Sequence, residues 1–313
     1  MKKIFFSSVI LLFVIIIAII GYLSLFGYET NKFNALLENK IKSSFTNVTI
    51  NIDKIKVKIN IKNLNFFITT SEPSIKYRGN KIDIKKVDAF IKLDSLISGK
   101  PNIDKVNIVS NEIRINETKD VVKYFKPSNL KRFFLNDIEK GKLLINIDLF
   151  LKNNEIENFE ISGYVKNLFA SQEDINIKET SFIYSIKKNS GEIDNLRSFI
   201  NGFQVNSGYI KFDNSKSFNV EGNLKSDFVL DKLYLSNILK NKILKNLINF
   251  QLSGSIQKKF QIQFDQTLKI TNYRLEASGN IKKSEIKFKE PKKYLYVKNK
   301  IKKINFEKSE FKI

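Results

Sequence analysis

The spacing of apolar residues changes period along this chain, and each period predicts a different element. Residues Ile4 to Phe26 form an uncharged run of 23, dominated by Ile, Leu, Phe and Val. A helix of that length, rising roughly 1.5 Å per residue, spans the roughly 30 Å hydrocarbon core of a bilayer. The run is longer than the roughly 7–15-residue apolar stretch of a cleaved signal peptide, and no clear small-residue cleavage site follows it. An uncleaved transmembrane signal anchor over 4–26 is expected, behind a cytoplasmic tail of residues 1–3. Lys2 and Lys3 favour that orientation; Lys32, Lys40 and Lys42 oppose it, but large C-terminal domains cross largely regardless of charge. Within residues 27–46, Phe33, Leu36, Leu37, Ile41 and Phe45 share one stripe at helical spacing. They predict a short amphipathic helix, Asn31 to Phe45, that caps the first strands or lies on the membrane.

From Val48 the period becomes two. Val48, Ile50 and Ile52 alternate with polar residues; after a slip in phase Ile55, Val57, Ile59 and Ile61 do so, and after another Leu64, Phe66 and Ile68. Val87, Ala89, Ile91 and Leu93 form a further run, with Val106, Ile108, Ile113 and Ile115 beyond. Such segments are half-buried strands of antiparallel sheet, and each slip marks a turn or bulge. Two stretches revert to helical spacing. Leu130, Phe133, Phe134 and Ile138 follow Pro127 and Ser128, and Leu235, Ile238, Leu239, Ile243, Leu244 and Leu247 predict a helix over about 231–249. Either helix is suited to close the end of a sheet or pack on its apolar face. No low-complexity linker breaks residues 47–313, which read as one domain.

In the second half one strand pattern returns four times, apolar-x-apolar-x-Gly-x-apolar. It reads Phe159, Ile161, Gly163, Val165; then Phe218, Val220, Gly222, Leu224; then Phe250, Leu252, Gly254, Ile256; and finally Leu275, Ala277, Gly279, Ile281. Each Gly has the parity of the apolar residues, so it sits on their face of the strand. It either relieves crowding where a curved sheet packs on itself, or permits sharp coiling and close approach of another group. The spacing between copies is irregular, which excludes a strict solenoid repeat.

Composition narrows the chemistry. The chain has 313 residues and no Cys, His or Trp. Disulfides, the usual zinc sites and Ser-His or Cys-His nucleophile pairs are therefore unavailable. The formal charge is +22, yet only five of the 54 basic residues are Arg, the side chain suited to bidentate phosphate and base contacts. The Lys residues are scattered on polar positions of the strands, such as Lys54, Lys56 and Lys58, and suit a solvated sheet face, with attraction of anionic headgroups as the functional version. No nucleic-acid partner is expected. Glu155, Glu157 and Glu160 are the nearest thing to a carboxylate cluster, but a turn at Asn153 and Asn154 explains them. Asp148 alternates with Ile147 and Leu149 and falls on the wet face. Gly99-Lys100 lacks the spacing of a phosphate loop. Catalytic, cofactor and metal residues are not expected, and the chain is not expected to be an enzyme.

These features together resemble the AsmA-like family, the group of AsmA, TamB and the DUF3971-type proteins. The resemblance rests on the signal anchor followed by a short helix and strands, on the recurring glycine motif, and on β segments interrupted by isolated helices. It also rests on the segment from Val87, which runs through Leu93-Asp94-Ser95-Leu96-Ile97-Ser98-Gly99-Lys100-Pro101 to Glu112-Ile113-Arg114-Ile115. The resemblance implies a mainly β fold, a long, strongly coiled antiparallel sheet forming an apolar groove. It implies a single-pass protein of the bacterial inner membrane with its bulk in the periplasm. Its partner would be phospholipid, carried as acyl chains on Phe159, Ile161, Val165, Phe218, Val220, Leu224, Phe250, Leu252 and Ile256. Gly163, Gly222, Gly254 and Gly279 would be the coiling glycines. The alternative is a non-enzymatic scaffold whose edge strands pair with envelope proteins.

Overall fold

A computed structural model describes residues 2–31, 34–35, 38–39, 42, 47–62, 65–92, 102–152, 155–172, 175–215, 217–232, 247–265, 269–282, 284–292 and 299–312. The molecule is mainly β, a large antiparallel sheet that does not close. The chain divides into two compact units, residues 1–113 with 144–161, and residues 114–143 with 162–313.

The first unit begins with α1, Lys2–Leu25. Gly27 ends it: the amide N–H groups of Phe26 and Gly27 both donate to Tyr22 O, at 2.8 and 3.2 Å, and Gly27 adopts φ +74°. That left-handed conformation is the usual helix stop and is open to glycine at little cost. A Cβ at Gly27 would also lie within 2.8 Å of the Lys56 and Lys58 side chains, so the turn is packed directly on the sheet. Strand β1 (Tyr28–Thr30) follows at once and pairs with β3 (Ile55–Asn60), the two strands flanking β2 (Val48–Asn51) in sequence. Lys58 Nζ donates to Leu25 O (3.4 Å) and Lys56 pairs with Glu29 (2.9 Å). Among the described residues no helix is long and apolar enough to cross a membrane; the side chains described in α1 are Phe6 and 10–25.

Strands β4 (Asn65–Ser71), β5 (Ser74–Tyr77), β6 (Asn80–Lys92) and β7 (Ile103–Ser110) continue the first unit. Paired residues place Val57, Ile68, Ala89 and Val106 in one apolar row across four strands. The early slips in phase are thus the turns between β2, β3 and β4. Of the predicted helix at 31–45, residues 31, 34–35, 38–39 and 42 are described, and all but 31 are helical. Asn34 Nδ2 donates to Ile52 O (2.6 Å) and Asp53 O (2.9 Å), and Glu38 accepts from the Ile52 N–H (2.7 Å), so this segment holds the corner after β2. Its apolar stripe (Phe33, Leu36, Leu37, Ile41 and Phe45), Leu64 and the 93–101 segment lie outside the described residues.

Ile115 departs from the strand pattern. Only β8 (Ile113–Arg114) precedes α2 (Ile115–Val122), and Ile115 opens that helix as a residue 2% exposed. A residue that reads as a strand position by alternation is here the buried end of an amphipathic helix. The second predicted helix forms as α3 (Asn129–Asn136), and Ser128 caps it by accepting from the Lys131 N–H at 3.1 Å. Ile138, predicted on its stripe, instead begins β9 (Ile138–Lys152), which is followed by β10 (Glu155–Gln172).

The second unit continues with β11 (Ile175–Lys187), β12 (Ser190–Ile200), β13 (Phe203–Asp213) and β14 (Phe218–Asp231). It ends with β15 (Leu247–Phe264), β16 (Ile270–Ile281), β17 (Ser284–Lys292), β18 (Ile301–Phe306) and β19 (Ser309–Lys312). Strands β11 to β16 pair in chain order. Of the helix predicted over 231–249, Asp231 instead ends β14 and Leu247 to Asn249 begin β15, while 233–246 lie outside the described residues. Leu247 obeys the helical stripe and is nevertheless a strand residue, packed on Phe288.

Asn167, Glu179 and Asn195 take left-handed φ of 49°, 52° and 54° on three successive strands, β10, β11 and β12. Each is an extra residue that shifts parity, so Val165 and Ala170 are both buried despite their odd spacing. The main core of this unit lies beside these bulges. Ile115, Ile138, Val165 and Ala170 are buried, with Phe133 and Phe134 of α3 and Ile177, Phe182 and Tyr184 of β11 packed on them. Helix α3 thus covers the apolar face at β10 and β11.

Candidate functional face

The apolar face beyond β11 is built by register. Directly opposed residues share a face, and one row reads Tyr184, Ile193, Ile210, Gly222, Phe260, Leu275 across β11 to β16. The next reads Gly191, Phe212, Val220, Ile262, Tyr273. Nearer the other end, Ile200, Phe203, Phe228, Gly254 and Ile281 form another. The opposite face carries Lys211, Glu221, Gln261 and Arg274 in one row. Apolar and charged positions therefore segregate in these rows.

The glycines of the motif serve close approach. A Cβ at Gly222 would collide with the Phe260 ring, directly opposite on β15. At Gly254 it would meet the Phe228 ring at 2.8 Å and also clash with Asn280 O; at Gly279 it would meet Phe311 at 3.0 Å and clash with Ser255 O. Aromatic rings thus lie across the gaps that the glycines leave, which protects the backbone and lowers the relief of the face. Gly163 is half-buried on β10.

Of the nine predicted lining residues, only Val165 is buried, under the core beside α3. Phe159 and Ile161 lie half-buried in the first unit. Phe218, Val220, Leu224, Phe250, Leu252 and Ile256 are half-buried in the second, where Phe218 touches Phe212 and Phe264 at ring separations of 6.2 and 5.4 Å. The second unit brings those six onto β14 and β15, though Phe250 packs toward Ile286 and Ile304 with Leu247 and Phe288. Exposure rises toward β16, to 72% at Tyr273 and 58% at Leu275. The four cavities described, about 260 to 770 Å³, are lined largely by the polar parity; Val220 lines the one of about 770 Å³ and Ile256 the one of about 620 Å³.

Two polar groups absent from the predicted residues also stand on the apolar face. Lys258 shares the parity of Ile256 and Phe260, so it stands on the apolar face, where its Nζ lies 4.7 Å from the Phe203 ring centre. Thr180 and Ser198 are buried on that face and hydrogen-bond each other, Oγ to Oγ, at 2.5 Å. Alternation would have found Lys258; the Thr180 pairing depends on the bulge at Glu179.

The carboxylates form no acid–base site among the described residues, and no cluster there could hold a metal. Glu155 and Glu157 are exposed, and Glu157 lies 3.7 Å from Lys152. Asp148 lies on the face opposite Leu149, as predicted, but it is not wet. Its side chain is 19% exposed, accepts from Asn107 Nδ2 at 2.7 Å and pairs with Lys105 at 3.0 Å. One cation and one amide around a carboxylate would suit catalysis only with a second reacting group, and Asn146 is the other partner of Asn107, at 2.7 Å. The cluster ties β7 to β9.

Comparison with family models, with curated proteins and with solved structures finds no match for this chain.

Proposed function

We propose that this chain is a non-enzymatic, AsmA-like protein of a bacterial inner membrane that binds or conducts phospholipid, its acyl chains on the apolar face of β12 to β16. The observation that carries the reading is the incomplete covering of that face. In one row Phe212, Val220 and Ile262 are half-open and Tyr273 is open, as is Leu275 in the next row. Burying acyl chain on this surface is worth about 0.8 kcal/mol per methylene.

The same physics supports an anchor at residues 4–26; the reading puts the bulk of the chain in the periplasm. In α1, Phe6, Leu12 and Phe13 are 69%, 60% and 64% exposed, an apolar surface that a bilayer would cover. Native mass spectrometry of the detergent-extracted full chain tests the lipid reading. Phospholipid should co-purify, and Asp at Val220, Leu224 and Ile256 should remove it while circular dichroism stays that of the native sheet. A wild-type chain without lipid would overturn the proposal.

A scaffold for envelope proteins remains the second reading, because the sheet is not closed and β18 pairs only with β17 among the described strands. Crosslinks from β18 to a protein, with no lipid on the face, would favour it.

A further inference from the structure

We infer that Lys258 is a binding residue for the anionic group of an acyl-chain ligand, an inference that rests on the lipid reading above. A lysine on an apolar sheet face ordinarily extends its flexible stem until the ammonium reaches water at the rim. Lys258 does otherwise. It belongs to the row Gly208, Leu224, Lys258, Ala277, and its Nζ reaches across the intervening β14 to sit over Phe203 of β13. The charge therefore stands above the apolar face itself.

The surroundings fit an oxyanion on a hydrocarbon tail. The positions of apolar parity on β12 to β16, from Gly191 to Gly279, hold no carboxylate. Lys258 has no carboxylate within ion-pair distance among the described residues. Ala277 in its own row leaves space on one side of Lys258, while the Leu224 side chain fills the place over Gly208 on the other. Ile256 and Phe260, both half-buried, border it with apolar surface for the chain. An ammonium in low-dielectric surroundings binds an oxyanion by a charge-assisted hydrogen bond, about twice as strong as a neutral one. A fatty carboxylate and a lipid phosphate share that chemistry.

The test uses the full chain in detergent at neutral pH, with retained ligand read by native mass spectrometry. Two probe pairs separate the sources: oleate against oleyl alcohol, and dioleoyl phosphatidate against dioleoylglycerol. The charged member of at least one pair should be retained about tenfold or more over its neutral partner, the equivalent of one charge-assisted hydrogen bond. A preference within the first pair assigns a carboxylate, within the second a phosphate. Lys258→Met should erase the preference while the neutral probes bind as before, and Lys258→Arg should keep it. Equal retention of charged and neutral probes by the wild type, or an unchanged preference in Lys258→Met, would overturn the role of Lys258 and leave the lipid reading standing. Retention of no probe at all would overturn both.

Discussion

The Phe260 ring lies across Gly222, its direct partner on the neighbouring strand, so closely that no side chain fits between them. Two residues of one face thus share a single place in the layer. The glycine is required by its neighbour's ring, since its own backbone conformation is that of ordinary strand.

That relationship predicts coupling. Gly222→Ala should destabilise the second unit by about 1–3 kcal/mol through overpacking. In Phe260→Leu the ring is gone, so adding Gly222→Ala should cost markedly less. Urea unfolding of the four proteins gives the interaction energy, and additive effects would contradict the packing.

Gly254 and Gly279 should behave differently. An added Cβ there clashes with a carbonyl oxygen, of Asn280 or Ser255, which cannot turn aside as a side chain can. Gly254→Ala and Gly279→Ala should each cost more than Gly222→Ala, and truncating Phe228 or Phe311 should not rescue them. The midpoints of urea unfolding decide this.

Lys119 clamps the helical cover. Its Nζ donates to Leu135 O at 2.9 Å and to Ile138 O at 2.6 Å, tying α2 to the end of α3 and the start of β9. Lys119→Met keeps the stem and removes the donors. It should cost about 1–3 kcal/mol and expose Phe133 and Phe134, read by thermal unfolding and dye binding.

Tyr184 supplies a pH dependence. Burial against the core beneath α3 pushes its phenol from 10.0 up to about 12. Below pH 10 the ring is protonated in folded and unfolded chains alike, and the stability is whole. Between 10 and 12 the unfolded chain ionises first, so stability should fall as pH rises. Tyr184→Phe should remove this component from alkaline unfolding curves. An identical curve would contradict the burial.

Alternation with a period of two made the strands legible, because a half-buried sheet imposes that period on every residue of each strand. Parity also gave the face of the motif residues and of Asp148. The bulges at Asn167, Glu179 and Asn195 were hidden, since one extra residue costs no composition signal and only pairing shows which strand carries it. Ile115 and Leu247 were misread for a related reason: a single apolar residue at an element's end fits both periods, and the packing of Ile115 under α3 or of Leu247 on Phe288 decides between them.

The sequence by itself determined that this protein is a lysine-rich β chain behind an apolar segment, without the side chains of the commonest catalytic and metal chemistry. Hydropathy and residue type are local properties, and those conclusions need nothing else. Only the tertiary structure decided which rings cover which glycines, which end of the apolar face α3 closes, and that Lys258 holds its charge over Phe203. Those are relations between strands, set by register, and register is fixed by pairing that no single segment contains.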